Sequence, residues 1–356
     1  MVRNVLFISL LWTVSLQAQM LPFQPSNSVP VVDFTQTAFE SPWAGGMNNP
    51  QFSETDLNQD GKKDLVVFDR ADNPFNTFLN TGTEGNIAYP HTPKYQDAFK
   101  ECDCNGWALL RDYNCDGLED VFCGTLSANI QVYKQVQLSE DSITFVPEID
   151  FLRTDIREQF FLYSNDIDIP SIIDVDWDGD LDILSFGVAG NYIEWHRNLA
   201  VENENRCDTM ILERDSRCWG HFFEGEFDNT AFLNDTMNCE LGDYDPSREI
   251  LHVGSTTTLL DLNADSLYDA LIGDITFNSV YALYNGGRKD YGYMTSVENN
   301  FPSEGNPINV YAFPAIYHLD INNDARKDLI VAPNSLVSED KAGVQVYVNG
   351  SQDSLP

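Results

Sequence analysis

The most constraining feature of this chain is a segment that recurs five times. The copies are "DLNQDGKKDLVVF" from Asp56, "DYNCDGLEDVFCG" from Asp112, "DVDWDGDLDILSF" from Asp174, "DLNADSLYDALIG" from Asp261 and "DINNDARKDLIVA" from Asp320. Each places Asp at positions 1, 5 and 9, Asp or Asn at position 3, and a short apolar run immediately afterwards. Acidic side chains at alternate positions of a tight loop point inward and repel one another, so a cation is the natural occupant. Hard oxygen donors in that number suit calcium, whereas zinc prefers nitrogen and sulfur.

The predicted calcium ligands follow from the register. They are Asp56, Asn58, Asp60, Lys62 and Asp64 in the first loop, and Asp112, Asn114, Asp116, Leu118 and Asp120 in the second. The third supplies Asp174, Asp176, Asp178, Asp180 and Asp182. The fourth supplies Asp261, Asn263, Asp265, Leu267 and Asp269, and the fifth Asp320, Asn322, Asp324, Arg326 and Asp328. Position 7 contributes its backbone carbonyl, so Lys62, Leu118, Leu267 and Arg326 raise no objection there. The third loop carries the most carboxylates and is predicted to bind most tightly. Ser266 and Ala325 replace the glycine of position 6, and Arg326 and Lys327 crowd the fifth loop, so the last two loops are predicted to bind most weakly.

An EF-hand shares the first half of this spacing but needs a bidentate Glu at position 12 and flanking helices. Position 12 here is Val67, Cys123, Ser185, Ile272 and Val331. The runs that follow position 9, such as "LVVF" and "LIVA", are rich in β-branched and aromatic residues and read as buried strands. A second alternating stretch comes later in each copy: "NTFLNTG", "NIQVYKQ", "NYIEWHRN", "SVYALYNGG" and "GVQVYVNGS". Copies built of strands and separated by 56, 62, 87 and 59 residues specify an all-β chain of β-propeller blades.

These five loops with their strands resemble the FG-GAP or VCBS repeats of integrin-α-like β-propellers, over roughly residues 48–350. The resemblance implies calcium-binding loops at the propeller rim and a ring of about seven blades, so five copies imply a chain that lacks further C-terminal blades; a closed five-bladed ring is the alternative. The opening "MVRNVLFISLLWTVSLQAQ", which reads as a signal peptide, the "DGDLDILSFG" style and the extra Cys-containing segment after the third loop also resemble large surface proteins of Bacteroidetes, in which a C-terminal sorting domain for type IX secretion is common.

The remaining sequence sets the context. The opening "MVRNVLFISLLWTVSLQAQ" reads as a signal peptide over residues 1–19, followed by a lead-in strand segment over 20–47 and, after the repeats, a tail over 351–356. The chain is therefore expected to be exported, secreted or at the cell surface. Fifty-six acidic residues against 20 basic ones give a net charge of −36, which argues against nucleic acid and anionic membranes as partners. No later run is apolar enough for membrane insertion.

Seven cysteines in an exported chain point to disulfides, with one thiol left over if the groups of four and three pair locally. A Cys-rich insertion over about 203–240, with Trp219, Phe222, Phe223 and Phe227, accounts for the long third interval. It reads either as a pinned loop covering a blade or as a recognition surface.

No catalytic motif is present, and the five histidines are scattered. The expectation is a non-catalytic binding or adhesion module for an extracellular protein or glycan, with calcium mainly structural. The alternatives are a secreted polysaccharide-degrading enzyme of lyase type or a purely architectural segment. The enzyme would need a basic or aromatic central cleft, and the sequence shows no cluster of its few basic residues.

Overall fold

The computed structural model describes residues 31–32, 34–38, 46–139, 141–155, 160–188, 190–225, 229–234, 254–303, 305–336 and 343–351. The expected signal peptide lies outside them. Residues 1–43 form a unit of their own, whose described part is a short bridge between Val32 and Ala38. The second unit, residues 44–356, is a five-bladed β-propeller.

Blade one is β1 (Pro50–Thr55), β2 (Asp64–Asp69) and β3 (Phe75–Phe78). Blade two is β4 (Ala108–Arg111), β5 (Asp120–Gly124), β6 (Ile130–Ser139) and β7 (Ser142–Ile149). Two short strands, β8 (Arg153–Thr154) and β9 (Phe160–Phe161), then run to the outer side of blade three. That blade is β10 (Ser171–Ile173), β11 (Asp182–Phe186), β12 (Ile193–Asn198) and β13 (Leu212–Ser216). A separate hairpin follows, β14 (Phe222–Glu224) with β15 (Ala231–Leu233). Blade four is β16 (Ser255–Leu260), β17 (Asp269–Asp274), β18 (Val280–Asn285) and β19 (Met294–Glu298). Blade five is β20 (Pro314–Leu319), β21 (Asp328–Pro333) and β22 (Gln345–Tyr347).

The apolar runs after each aspartate loop become the second strand of each blade, and they are continuous because both faces are covered. In β2, Leu65 and Val67 join one cluster while Val66 and Phe68 join another. In β17, Ala270 and Ile272 pack toward blade three and Leu271 toward blade five. The core is thus a set of layers between neighbouring blades. Among the described residues blade one has no fourth strand; a 3-10 helix, Pro93–Phe99, stands beside it instead. Phe99 stacks between Phe75 at 4.4 Å and Phe145 at 4.5 Å, joining blades one and two.

Five blades close the ring, which corrects the expectation of an incomplete seven-bladed one. Blade five meets blade one directly: Phe52 packs edge-on against Tyr317 at 5.5 Å, and Gln51 Nε2 donates to Asn334 Oδ1 at 3.2 Å. The clusters that run between blades two and three also include residues of blades five and one, so the circuit is complete.

The Cys-rich insertion begins in blade three as β13, and its hairpin seats Phe222 and Ala231 in the layer between blades three and four. Disulfides join Cys104 to Cys123 within blade two and Cys115 to Cys207 across the two sequence groups, so pairing is not purely local. Among the described residues Cys102 is the free thiol, and burial pushes it up to about 12. Cross-links of this kind fit an oxidising compartment. Among the described residues no helix is long and apolar enough to cross a membrane.

Candidate metal centre

Each aspartate loop joins the first strand of a blade to the second, and all five share one hydrogen-bond scheme. The backbone N–H of position 5 donates to Oδ1 of position 1, and that of position 6 to its Oδ2. In the first loop these are Asp60 and Gly61 to Asp56 at 3.1 and 2.9 Å; in the fifth, Asp324 and Ala325 to Asp320 at 3.2 and 2.9 Å. Position 7 donates to position 5, as in Leu118 N to Asp116 Oδ1 at 3.0 Å and Leu267 N to Asp265 Oδ1 at 2.9 Å.

The position 9 aspartates, Asp64, Asp120, Asp182, Asp269 and Asp328, are fully buried. Each accepts from the position 2 N–H and from a backbone N–H in the blade's third strand or just past it. For Asp182 the donors are Val175 N at 3.1 Å and Asn198 N at 2.7 Å; for Asp269 they are Leu262 N at 2.9 Å and Asn285 N at 2.8 Å. A buried carboxylate therefore staples three pieces of backbone in every blade. Burial drives these carboxyls upward, Asp182 to about 8, Asp120 to about 7, and Asp64 and Asp269 to about 6.

The turn demands left-handed backbone at positions 4 and 6. Gly61, Gly117 and Gly179 meet it at position 6 with φ of 85°, 85° and 107°, whereas Ser266 and Ala325 adopt φ of 69° and 64° despite a Cβ.

Position 4, with φ between 56° and 67° in all five loops, carries Gln59, Cys115, Trp177, Ala264 and Asn323. Four of these reach the next blade, each by different chemistry. Gln59 donates to the Ser139 carbonyl at 3.3 Å and accepts from Gln137. Cys115 is bonded to Cys207. Trp177 stacks on Tyr268 at 5.1 Å, with Lys289 Nζ 4.6 Å above the indole. Asn323 and Asn80 exchange two amide hydrogen bonds at 2.7 and 3.2 Å. Ala264 has no such group; blades four and five are tied instead by the Thr256 and Thr258 hydroxyls, donating to the Pro314 and Ile316 carbonyls at 2.7 Å each.

Among the described residues, the third loop alone brings three carboxylates together. Oxygens of Asp174, Asp176 and Asp182 lie within 4.8 Å of one another, as do those of Asp176, Asp178 and Glu202. The reason is chemical. In the other loops an Asn at position 3 can donate: Asn58 Nδ2 to Asp60 Oδ2 at 3.1 Å, Asn114 Nδ2 to Asp120 Oδ2 at 3.1 Å, Asn322 Nδ2 to Asp324 Oδ2 at 3.2 Å. Asp176 cannot donate. Asp178 Oδ2 and Asp180 Oδ1 are consequently buried with no hydrogen bond. Buried carboxylate oxygens in that state are costly unless a cation meets them, so the donor set fits a hard divalent ion. Burial and the neighbouring carboxylates hold Asp176 up at about 6.

Some predicted ligands have other engagements. Arg197 pairs with both Asp176 and Glu202, and Lys134 with Asp116 at 3.2 Å. Arg326 pairs with Asp324, as its place in the fifth loop suggested, but Lys327 points to the propeller axis instead. Asp180 Oδ2 accepts from Val201 N at 3.0 Å, in the short helix α1 (Ala200–Glu204). Glu202 and Arg197 were invisible to the repeat pattern, because they come from the end of the third strand and the helix after it, outside the repeated aspartate segment. Also unforeseen is the meeting of charged side chains at the axis, where Arg111 of blade two lines one cavity with His318 and Lys327 of blade five and with Glu54, Asp112 and Glu119. Compared with known families and curated proteins, the chain matches no family model and no curated protein.

Proposed function

We propose that this chain is an exported calcium-binding propeller of the FG-GAP or VCBS type, resembling Bacteroidetes surface proteins. In this reading it serves as a non-catalytic binding or adhesion module for an extracellular protein or glycan. The observation that carries the ion is the third loop, with its converging carboxylates and the two buried oxygens that nothing else satisfies. Asp174, Asp176, Asp178 and Asp182 would hold calcium there, and Asp56, Asp112, Asp261 and Asp320 with their partners would hold it in the other loops. The ion's contribution is structural: it offsets carboxylate repulsion where a blade's first two strands meet, and so couples binding to folding.

The binding role is supported by the rigid scaffold and by the insertion that departs from the repeat. Calorimetric titration of the full chain with calcium tests the ion, with saturable uptake and a higher melting temperature expected. No uptake, or a melting temperature indifferent to chelator, would sink it. Binding to arrayed glycans and extracellular proteins tests the module. Turnover of an acidic polysaccharide would instead establish the enzyme, and absence of both binding and turnover the architectural reading.

A further inference from the structure

Blade three carries an addition that the other blades lack. Among the described residues, only its third strand runs into an α-helix, α1 (Ala200–Glu204). Two buried carboxylates hold that segment to the loop: Asp182 accepts from Asn198 N at 2.7 Å, and Asp180 from Val201 N at 3.0 Å. Glu202, the next residue, is thereby carried to the loop.

The carboxylates form two groups rather than one. Oxygens of Asp174, Asp176 and Asp182 converge in the first, and those of Asp176, Asp178 and Glu202 in the second. Carboxylates around a single ion would all lie within twice a calcium–oxygen bond of one another, roughly 5 Å. Here Asp178 and Glu202 stand outside the first group, and Asp174 and Asp182 outside the second. Two centres are therefore marked, with Asp176 common to both.

Asp180 points to the second centre. It is 2% exposed, and its Oδ1 has no hydrogen-bond partner. The charged groups that bear on it most strongly are Asp178, Glu202 and Asp176, the members of the second group. At position 7 the other loops carry Lys62, Leu118, Leu267 and Arg326, so this carboxylate has no counterpart in them. A buried carboxylate oxygen beside further carboxylates is costly unless a cation meets it.

The side-chain cations present do not suffice. Among the described residues Arg197 pairs with Asp176 and, at 2.7 Å, with Glu202, but not with Asp178 or Asp180. Lys289 Nζ stands 4.6 Å above the indole of Trp177. Arg206 and Arg288 are engaged by Glu204, Asp208 and Asp290. Five loop aspartates and Glu202 against Arg197 and Lys289 leave four negative charges; one divalent ion halves that excess, and a second removes it. Glu202 is exposed, which gives an ion a way in from solvent.

We propose that loop three binds two calcium ions, the second held by Asp178, Asp180 and Glu202 with Asp176 shared between the pair. The first is the ion of the reading above; the second goes beyond it. It joins the rim of blade three to α1, and so to the start of the Cys-rich insertion, whose seating becomes calcium-dependent. Arg197 stands in for this ion in metal-free protein and yields its two carboxylates when calcium arrives.

Trp177 is the one tryptophan within the five loops, so terbium luminescence excited through tryptophan reads loop three in the full chain. Metal-stripped protein is titrated with terbium, and bound calcium is counted separately by equilibrium dialysis. Two luminescence steps are expected. Glu202→Gln should weaken the second about tenfold or more, leave the first, and lower the calcium count by one. Asp180→Leu, which copies the residue of loops two and four, should do the same. Arg197→Gln should tighten the second step roughly threefold, a gain that misfolding cannot produce. A single step that Asp174→Asn weakens overturns the second ion and leaves the first, whether or not Glu202→Gln affects it. A single step lost in Glu202→Gln but kept in Asp174→Asn leaves this site standing and removes the ion from the reading above. No step and no calcium uptake overturns both.

Discussion

The third and fifth loops have the same backbone course and the same bonds from positions 5 and 6 to position 1, yet they treat their charge in opposite ways. The third places Asp at positions 3 and 7, leaves buried oxygens without donors, and has Gly179 in the left-handed turn. The fifth places Asn322 and Arg326 there, so Asp324 receives an amide and a guanidinium from its own loop, and it forces Ala325 through the turn. Positions 1, 5 and 9 therefore build the loop, while positions 3 and 7 decide how much external cation it demands. The lesson is that identical skeletons need not be equal ion sites.

The widest separation between the two should come from pH in the absence of metal. Burial raises the folded value of Asp182 to about 8, far above an unfolded carboxyl near 3.9. A raised acid contributes stability that is complete below pH ~4 and is lost as pH climbs through its folded value. Chelated protein should melt at a lower temperature at pH 8.5 than at pH 5, and calcium should close the gap. Asp182→Asn should flatten this profile more than Asp328→Asn, which scanning calorimetry at both pH values would check.

Next in size is the calcium-linked stability itself. An ion at a hundred times its dissociation constant adds about 2.7 kcal/mol per site. Asp174→Asn should remove more of the calcium-induced rise in melting temperature than Asp320→Asn; equal losses would erase the distinction between the loops. A smaller effect, of opposite sign in the two loops, concerns the turn. Gly179→Ala should destabilise by roughly 1–2 kcal/mol, because its Cβ meets open space and only the backbone objects, whereas Ala325→Gly should stabilise by about 1 kcal/mol. Urea denaturation resolves both. The smallest is Arg326→Gln, which frees the carboxylate of Asp324 and should raise calcium affinity of the fifth loop roughly threefold, read by calcium titration.

Much of this was legible because it repeats. Asp at positions 1, 5 and 9 and the apolar run after it announce a loop and a strand covered on both faces, and β2, β5, β11, β17 and β21 are those strands. Position 4 was opaque. Gln59, Cys115, Trp177, Ala264 and Asn323 share no chemistry, only a left-handed φ, so no pattern in side chains marks them as inter-blade contacts. Blade number was misjudged because the angle between neighbouring sheets depends on the volumes packed between them, a quantity that no single repeat displays. The charged cluster at the axis escaped notice for a related reason: Arg111 of blade two meets His318 and Lys327 of blade five only once the ring has closed.

The amide exchange between Asn80 and Asn323 at the aspartate-loop end of the seam, and the Gln51–Asn334 bond at its other end, bridge sequence separations of 243 and 283 residues. Every other neighbouring pair of blades is consecutive along the chain. A ribosome must release all five blades before this last joint has both halves, and the entropy of closing so long a circuit falls on that one step. Until then the first blade waits with a bare apolar face, a window in which a nascent chain is open to capture by chaperones or by its own kind.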